Sequence, residues 1–114
     1  MKEFNNVTGA IGEKQAEEFL KKNKYKILTK NFRCVVGEID LVAKEKDTIV
    51  FVEVKKRETY IFGNPAEAIG VTKQNKIRKA ALYYLKQYKL TESPCRFDVI
   101  EIVGENINHI ENAF

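Results

Sequence analysis

Hydrophobic and polar residues alternate along Gly37-Glu38-Ile39-Asp40-Leu41-Val42-Ala43, and again along Ile49-Val50-Phe51-Val52-Glu53-Val54-Lys55. A period of two predicts strands, and the short gap between them predicts a hairpin. With the turn centred on Lys46-Asp47, Asp40 faces Glu53, Glu38 faces Lys55 and Val42 faces Phe51. On the other face Ile39 meets Val54, Leu41 meets Val52 and Ala43 meets Val50, so that face is wholly apolar. Lys-Asp lacks the Gly or Asn of a tight hairpin turn, and a longer loop from Glu45 to Thr48 keeps the same register.

The flanking pattern predicts a helix over Thr8–Lys22, capped by Thr8 or Asn6, with Ala16, Phe19 and Leu20 on its apolar stripe and Glu13 one turn earlier. A strand follows over Lys26–Arg33. Lys56–Gly63 reads as a loop, and Asn64-Pro65-Ala66-Glu67 as a short helical start. A long helix runs from a Thr72 cap to about Tyr88, its buried face carrying Ile77, Ala80, Ala81, Tyr84, Leu85 and Tyr88. Strands at Arg96–Val103 and Asn108–Glu111 complete the chain. The order α-β-β-β-α-β, with a final short β, predicts an antiparallel meander. A parallel strand then joins it through a right-handed helical crossover. The fold class is α/β, a mixed central sheet flanked by helices, in a single domain over residues 1–114.

The polar face of the hairpin is the first chemical signal. Facing carboxylates about 5 Å apart repel by ~3 kcal/mol at an effective dielectric near 20. A hard divalent cation with oxygen ligands would remove that conflict. The ordinary alternative is a solvated outer face on which Lys55 pairs Glu38. The long helix carries the second signal. Lys76, Lys79, Tyr83 and Lys86 lie on one exposed stripe, and Lys73 sits at the helix N-terminus, where the dipole is already positive. That end suits a phosphate, and its ordinary alternative is a solvated lysine face. Lys73→Ala is accordingly expected to spare the fold or stabilise it slightly.

Composition narrows the chemistry. The net charge of +4 favours an anionic partner. His109, Cys34 and Cys95 are too scattered for a zinc site, Ser93 is the sole serine, and no phosphate-cradling glycine loop is present. Catalysis would rest on carboxylates, lysines and a metal. No apolar run is long enough for a bilayer and the N-terminus lacks a signal-peptide stretch, so the expected location is the cytoplasm, with no membrane partner.

Gly37-Glu38-Ile39-Asp40-Leu41-Val42 followed by Phe51-Val52-Glu53-Val54-Lys55 resembles the bacterial YraN family. So do Gly12-Glu13-x-x-Ala16, Phe62-Gly63-x-Pro65-x-Glu67-Ala68, Lys73-Gln74 and Arg96-Phe97-Asp98-Val99, together covering about residues 8 to 103. The family looks like a branch of the restriction-endonuclease-like superfamily, whose signature is Asp followed by Glu-x-Lys on the next strand. It is similar in size and layout to archaeal Holliday-junction resolvases. The resemblance implies that Asp40, Glu53 and the Val54 backbone carbonyl bind Mg2+ or Mn2+. It also implies that Lys55 orients or activates the attacking water and that Glu13 is a further catalytic acid. Gln74 matches a glutamine that some members place on the following helix. Ile39 stands where the superfamily often has proline before the aspartate.

The expectation is a metal-dependent nuclease that hydrolyses phosphodiester bonds of DNA, with branched or damaged structures as candidates. Asp40, Glu53, Lys55 and Glu13 are the catalytic set, Glu38 is a supporting residue, and Lys73, Gln74, Lys76 and Lys79 form the nucleic-acid track. A homodimer would suit symmetric cutting of two strands. The alternatives are a non-catalytic nucleic-acid-binding module that keeps the fold, and a protein-interaction domain with an incidental basic surface.

Overall fold

A strand that is apolar on both faces needs cover on both sides. The stretch Ile49-Val50-Phe51-Val52 is such a strand, and a helix packs on each face of the sheet around it. In the computed structural model, which describes residues 2–57 and 69–114 and side chains from residue 9 onward, the elements follow one another in this order. They are α1 (Lys2–Lys22), β1 (Lys26–Cys34), β2 (Gly37–Glu45), β3 (Thr48–Arg57), α2 (Val71–Gln87), β4 (Cys95–Val103) and β5 (Asn106–Ile110). The strands form one sheet in the order β1-β2-β3-β4-β5. β1, β2 and β3 make the antiparallel meander, β4 joins β3 in parallel, and β5 returns antiparallel. This is the expected mixed sheet flanked by helices, compatible with a restriction-endonuclease-like core. The expected helical start at Asn64–Glu67 lies outside the described residues.

α1 lays Ala16 and Leu20 on Leu41, Ala43, Val50, Val52, Ile100 and Ile102. It comes close because residue 12 is glycine: a Cβ there would stand 3.2 Å from the Cβ of Lys56 on β3. α2 lays Ile77, Ala80, Ala81, Tyr84 and Leu85 on the opposite face, against Phe32, Ile39, Val42, Ile49, Phe51 and Val99. Each fully buried Leu, Ile or Phe stabilises the fold by roughly 1.5–3 kcal/mol. Tyr84 adds a hydroxyl contact to Thr29 at 3.0 Å.

Several boundaries differ from expectation. α1 begins at Lys2, so neither Asn6 nor Thr8 caps it. α2 begins at Val71 with Gly70 as a cap that lends no side chain, so Thr72 lies inside the helix; Tyr88 is its C-cap and is 48% exposed. The β2–β3 ladder closes at Glu45↔Thr48, leaving Lys46-Asp47 as the turn, with Lys46 in the left-handed region at φ 54°.

The hairpin register is the expected one where the ladder runs, from Leu41↔Val52 to Glu45↔Thr48. It does not continue to Asp40 and Glu53. Thr29 and Phe32 of β1 both face α2, as do Ile39 and Val42 of β2, although each pair is separated by three positions rather than two. Ile39 therefore leaves the face shared by Leu41 and Ala43, and that face is not the unbroken apolar surface that simple alternation implies. The break lies at Asn31 and Asp40. Asn31 has φ 54°, and no Asn31–Asp40 pair appears between Lys30↔Leu41 and Phe32↔Ile39. The register is the same on both sides of this gap, the shift in the β1–β2 pair lying earlier, between Ile27 and Thr29, and the gap leaves Asp40 without a β1 partner in the ladder.

Candidate metal centre

Freed from the ladder, Asp40 turns to β3. Its Oδ2 accepts the Val54 N–H at 2.8 Å, so it takes up a backbone donor. Glu53 alternates with Ile49 and Phe51 and therefore faces α2; it is only 4% exposed. Burial first, then a hydrogen bond and repulsion from Asp40, push its carboxyl up to about 8, against a downward pull from Lys73. The two acids thus converge beside Val54, the residue whose carbonyl the resemblance assigns as a ligand. Glu13 approaches from α1, its carboxyl raised by burial and then by Asp40, with Asn31 hydrogen bonding in opposition.

The cation beside Glu53 comes from another element. Lys73, from the first turn of α2, places Nζ 2.5 Å from Glu53 Oε2. Lys55 is exposed and makes no ion pair among the described residues. Glu38 does not meet Lys55 either; it lies 3.4 Å from Arg33 on β1, its side chain largely exposed. The β2–β3 ladder stops at Leu41↔Val52, so Glu38 and Lys55 do not come to face each other. Gln74 points back along its own helix, donating to the Ile69 carbonyl at 2.9 Å. Lys76 and Lys79 are exposed on α2, which carries cations at 73, 76, 78, 79 and 86 and no carboxylate. A cleft of about 580 Å3 separates the start of β2 from the first turns of α2, lined by Gly37, Glu38, Gly70, Thr72, Lys73, Lys76 and Ile77.

A cation between these acids would meet oxygens: the two carboxylates and, as the resemblance implies, the Val54 carbonyl. That set matches the preference of Mg2+ or Mn2+. Burial and then Asp40 disfavour the charged form of Glu53, and a divalent cation bound there would favour it.

A second polar cluster escaped the sequence reading. Asp98 on β4 is fully buried, accepts from the Arg96 guanidinium at 3.0 Å and from the Asn112 N–H at 3.1 Å, and lies 2.7 Å from His109 Nε2. Burial raises its carboxyl, but His109, Arg96 and the Asn112 N–H outweigh burial and hold it below the usual carboxylate range. Asp98, His109 and Glu111 are close enough to hold a metal ion. Arg96 already supplies the positive charge there, bonding Glu45 at 2.9 Å and Glu111 at 3.1 Å as well. The cluster pins the last residues of the chain to the sheet. Its signal in the sequence was an aspartate inside the buried run Phe97-Asp98-Val99-Ile100.

The family model of the uncharacterised protein family UPF0102 matches residues 12–102, a span that holds Glu13, Asp40, Glu53, Lys55 and Lys73. The chain belongs to family UPF0102. This is the family whose motifs the sequence resembled. A UPF0102 protein of Thermodesulfovibrio yellowstonii is 51% identical over 106 residues, covering 93% of this chain and 94% of its own. Another, of Caldicellulosiruptor saccharolyticus, is 48% identical over 112 residues, covering 93% and 95%. A third, of Caldanaerobacter subterraneus, is 48% identical over 122 residues and covers both chains fully. UPF0102 membership carries no named activity, so the chemistry has to be argued from the site. Among the described residues no helix is long and apolar enough to cross a membrane.

Proposed function

We propose that this UPF0102 protein is a metal-dependent nuclease that hydrolyses phosphodiester bonds of DNA, with branched or damaged DNA as its substrate class. The observation that carries the proposal is the convergence of Asp40 and the 4%-exposed Glu53 beside Val54, under the acid-free helix α2. Burying two carboxylates side by side is costly for stability, and a site that uses them gives the cost a purpose.

Asp40, Glu53 and the Val54 carbonyl would hold Mg2+ or Mn2+. When bound, the ion supplies a more acidic water and a Lewis acid for the phosphate oxygens. Lys55, exposed two residues beyond Glu53 on β3, orients the attacking water and stabilises charge on the phosphorane-like transition state. Glu13 is a further acid on the α1 side. Lys76 and Lys79 guide the phosphate backbone along α2, and Gln74, by bracing the helix start, supports that track rather than reading DNA. Symmetric cutting of two strands would use a two-fold homodimer.

The alternative, a nucleic-acid-binding module that keeps the fold without cleaving, is favoured by one observation: Lys73 already compensates Glu53. Labelled linear duplex, single strand, flap, four-way junction and structured RNA, each with Mg2+, Mn2+ or chelator, separate the two. Metal-dependent cleavage by the wild type, lost in Asp40→Asn and Glu53→Gln, supports the nuclease. Binding with no cleavage by any of the three proteins supports the module.

A further inference from the structure

We infer that Lys73 is the internal occupant of the metal site: its ammonium holds Glu53 until a divalent cation displaces it, so that Lys73 regulates metal loading. This rests on the proposed metal centre and adds a role that neither the Asp/Glu-x-Lys signature nor the basic track assigns. Lys73 Nζ stands 2.5 Å from Oε2 of a carboxylate that is 4% exposed, while the Lys73 side chain itself is 56% exposed. One partner is fixed in the sheet and the other has solvent to swing into. The two share Asp40 as a second negative neighbour, since it acts on Glu53 and on Lys73 alike.

The position of Lys73 is otherwise unfavourable. It lies in the first turn of a seventeen-residue helix that has no acid in that turn and no side-chain cap. A cation there opposes the helix dipole, and the Glu53 carboxylate is what offsets this. Displaced from Glu53, the ammonium would sit beside free backbone N–H groups at the mouth of the cleft lined by Gly37, Thr72 and Lys76. That is a place for a phosphate. A phosphate that draws Lys73 away would free Glu53 for the metal, and metal and nucleic acid would then load together.

The test is Mn2+ binding to the full chain without nucleic acid, by titration calorimetry, for wild type, Lys73→Met, Lys73→Arg and Glu53→Gln. Lys73→Met keeps the aliphatic stem and removes the competing charge, so it should bind Mn2+ about fivefold tighter, the scale of a partly exposed ion pair. Lys73→Arg should bind like wild type, and Glu53→Gln should not bind. Equal affinity of wild type and Lys73→Met, with Glu53→Gln inert, overturns the competition and leaves the metal centre standing. Weaker binding by Lys73→Met also overturns it, making Lys73 a support of the site. Absence of Glu53-dependent binding in every protein overturns both the competition and the metal centre. Cooperative melting of each variant by circular dichroism establishes that folded protein is compared, and Lys73→Gln, which also removes the charge and should likewise bind Mn2+ more tightly than wild type, decides if Lys73→Met fails to fold.

Discussion

Asp40→Asn removes one charge from the site and leaves its shape. The amide oxygen can still accept the Val54 N–H that Asp40 Oδ2 accepts at 2.8 Å. What changes is the repulsion on Glu53. The Glu53 carboxyl rises from 4.5 to about 8, a displacement equivalent to ~5 kcal/mol between its two protonation states. Burial is the larger cause and Asp40 the next. Two carboxylates on the order of 5 Å apart repel by ~3 kcal/mol at an effective dielectric near 20, an upper bound on the Asp40 share. The sign follows from proton counting. The folded state keeps a Glu53 proton that the unfolded state releases, so stability falls as pH rises from 4.5 through about 8. Asp40→Asn should therefore stabilise the metal-free protein by about 1–3 kcal/mol near pH 9, where Glu53 is ionised in the fold, with the gain shrinking as pH falls below about 8 and Glu53 takes up its proton. Urea unfolding followed by circular dichroism in chelator, across that pH range, measures it. A variant less stable than wild type near pH 9, or a gain that does not change with pH, would refute the reasoning.

Arg96→Met should destabilise the protein by about 3–5 kcal/mol, because it strips a fully buried Asp98 of its guanidinium. It should also move acid unfolding to higher pH: the Asp98 carboxyl is held low in the fold, and its contribution is lost as pH falls through that lowered value. Acid titration of the circular-dichroism signal reads both effects. Gly37→Ala should cost on the order of 1 kcal/mol, since a Cβ there would stand 3.2 Å from the Lys76 carbonyl oxygen and push α2 off β2; thermal melting checks it. Lys76→Ala and Lys79→Ala should each lower the salt slope of DNA affinity by about one while leaving sequence preference unchanged. An unchanged slope would make them solvated lysines.

Much of this was legible in the sequence because it is local. The period-two runs locate β2 and β3, and the i, i+3, i+4 series from Ile77 to Leu85 marks the buried face of α2. Together they imply the parallel β3–β4 pair. The remainder depends on distance in the chain. The gap in the β1–β2 ladder at Asn31 and Asp40 has no signature in β2 itself, because it lies between two strands, and alternation therefore misplaces Ile39. The Glu53–Lys73 pair joins residues on different elements across the top of a helix. A continuous ladder would set Lys55 opposite Glu38, and the ladder stops short of both. Lys73→Ala, expected from the helix dipole alone to be neutral or stabilising, instead removes the ion partner of a buried acid. The Arg96–Asp98–His109 cluster needs β5 folded back on β4 before its members meet.

The central claim is that Asp40 and Glu53 converge to hold a catalytic divalent cation. Crystals grown with Mn2+, with anomalous diffraction locating the ion, test it most directly. The expected result is an anomalous peak beside Asp40 and Glu53, with Lys73 moved off Glu53. A Mn2+ ion bound only at Asp98, His109 and Glu111, or no ordered ion with the Glu53–Lys73 pair intact, would contradict it.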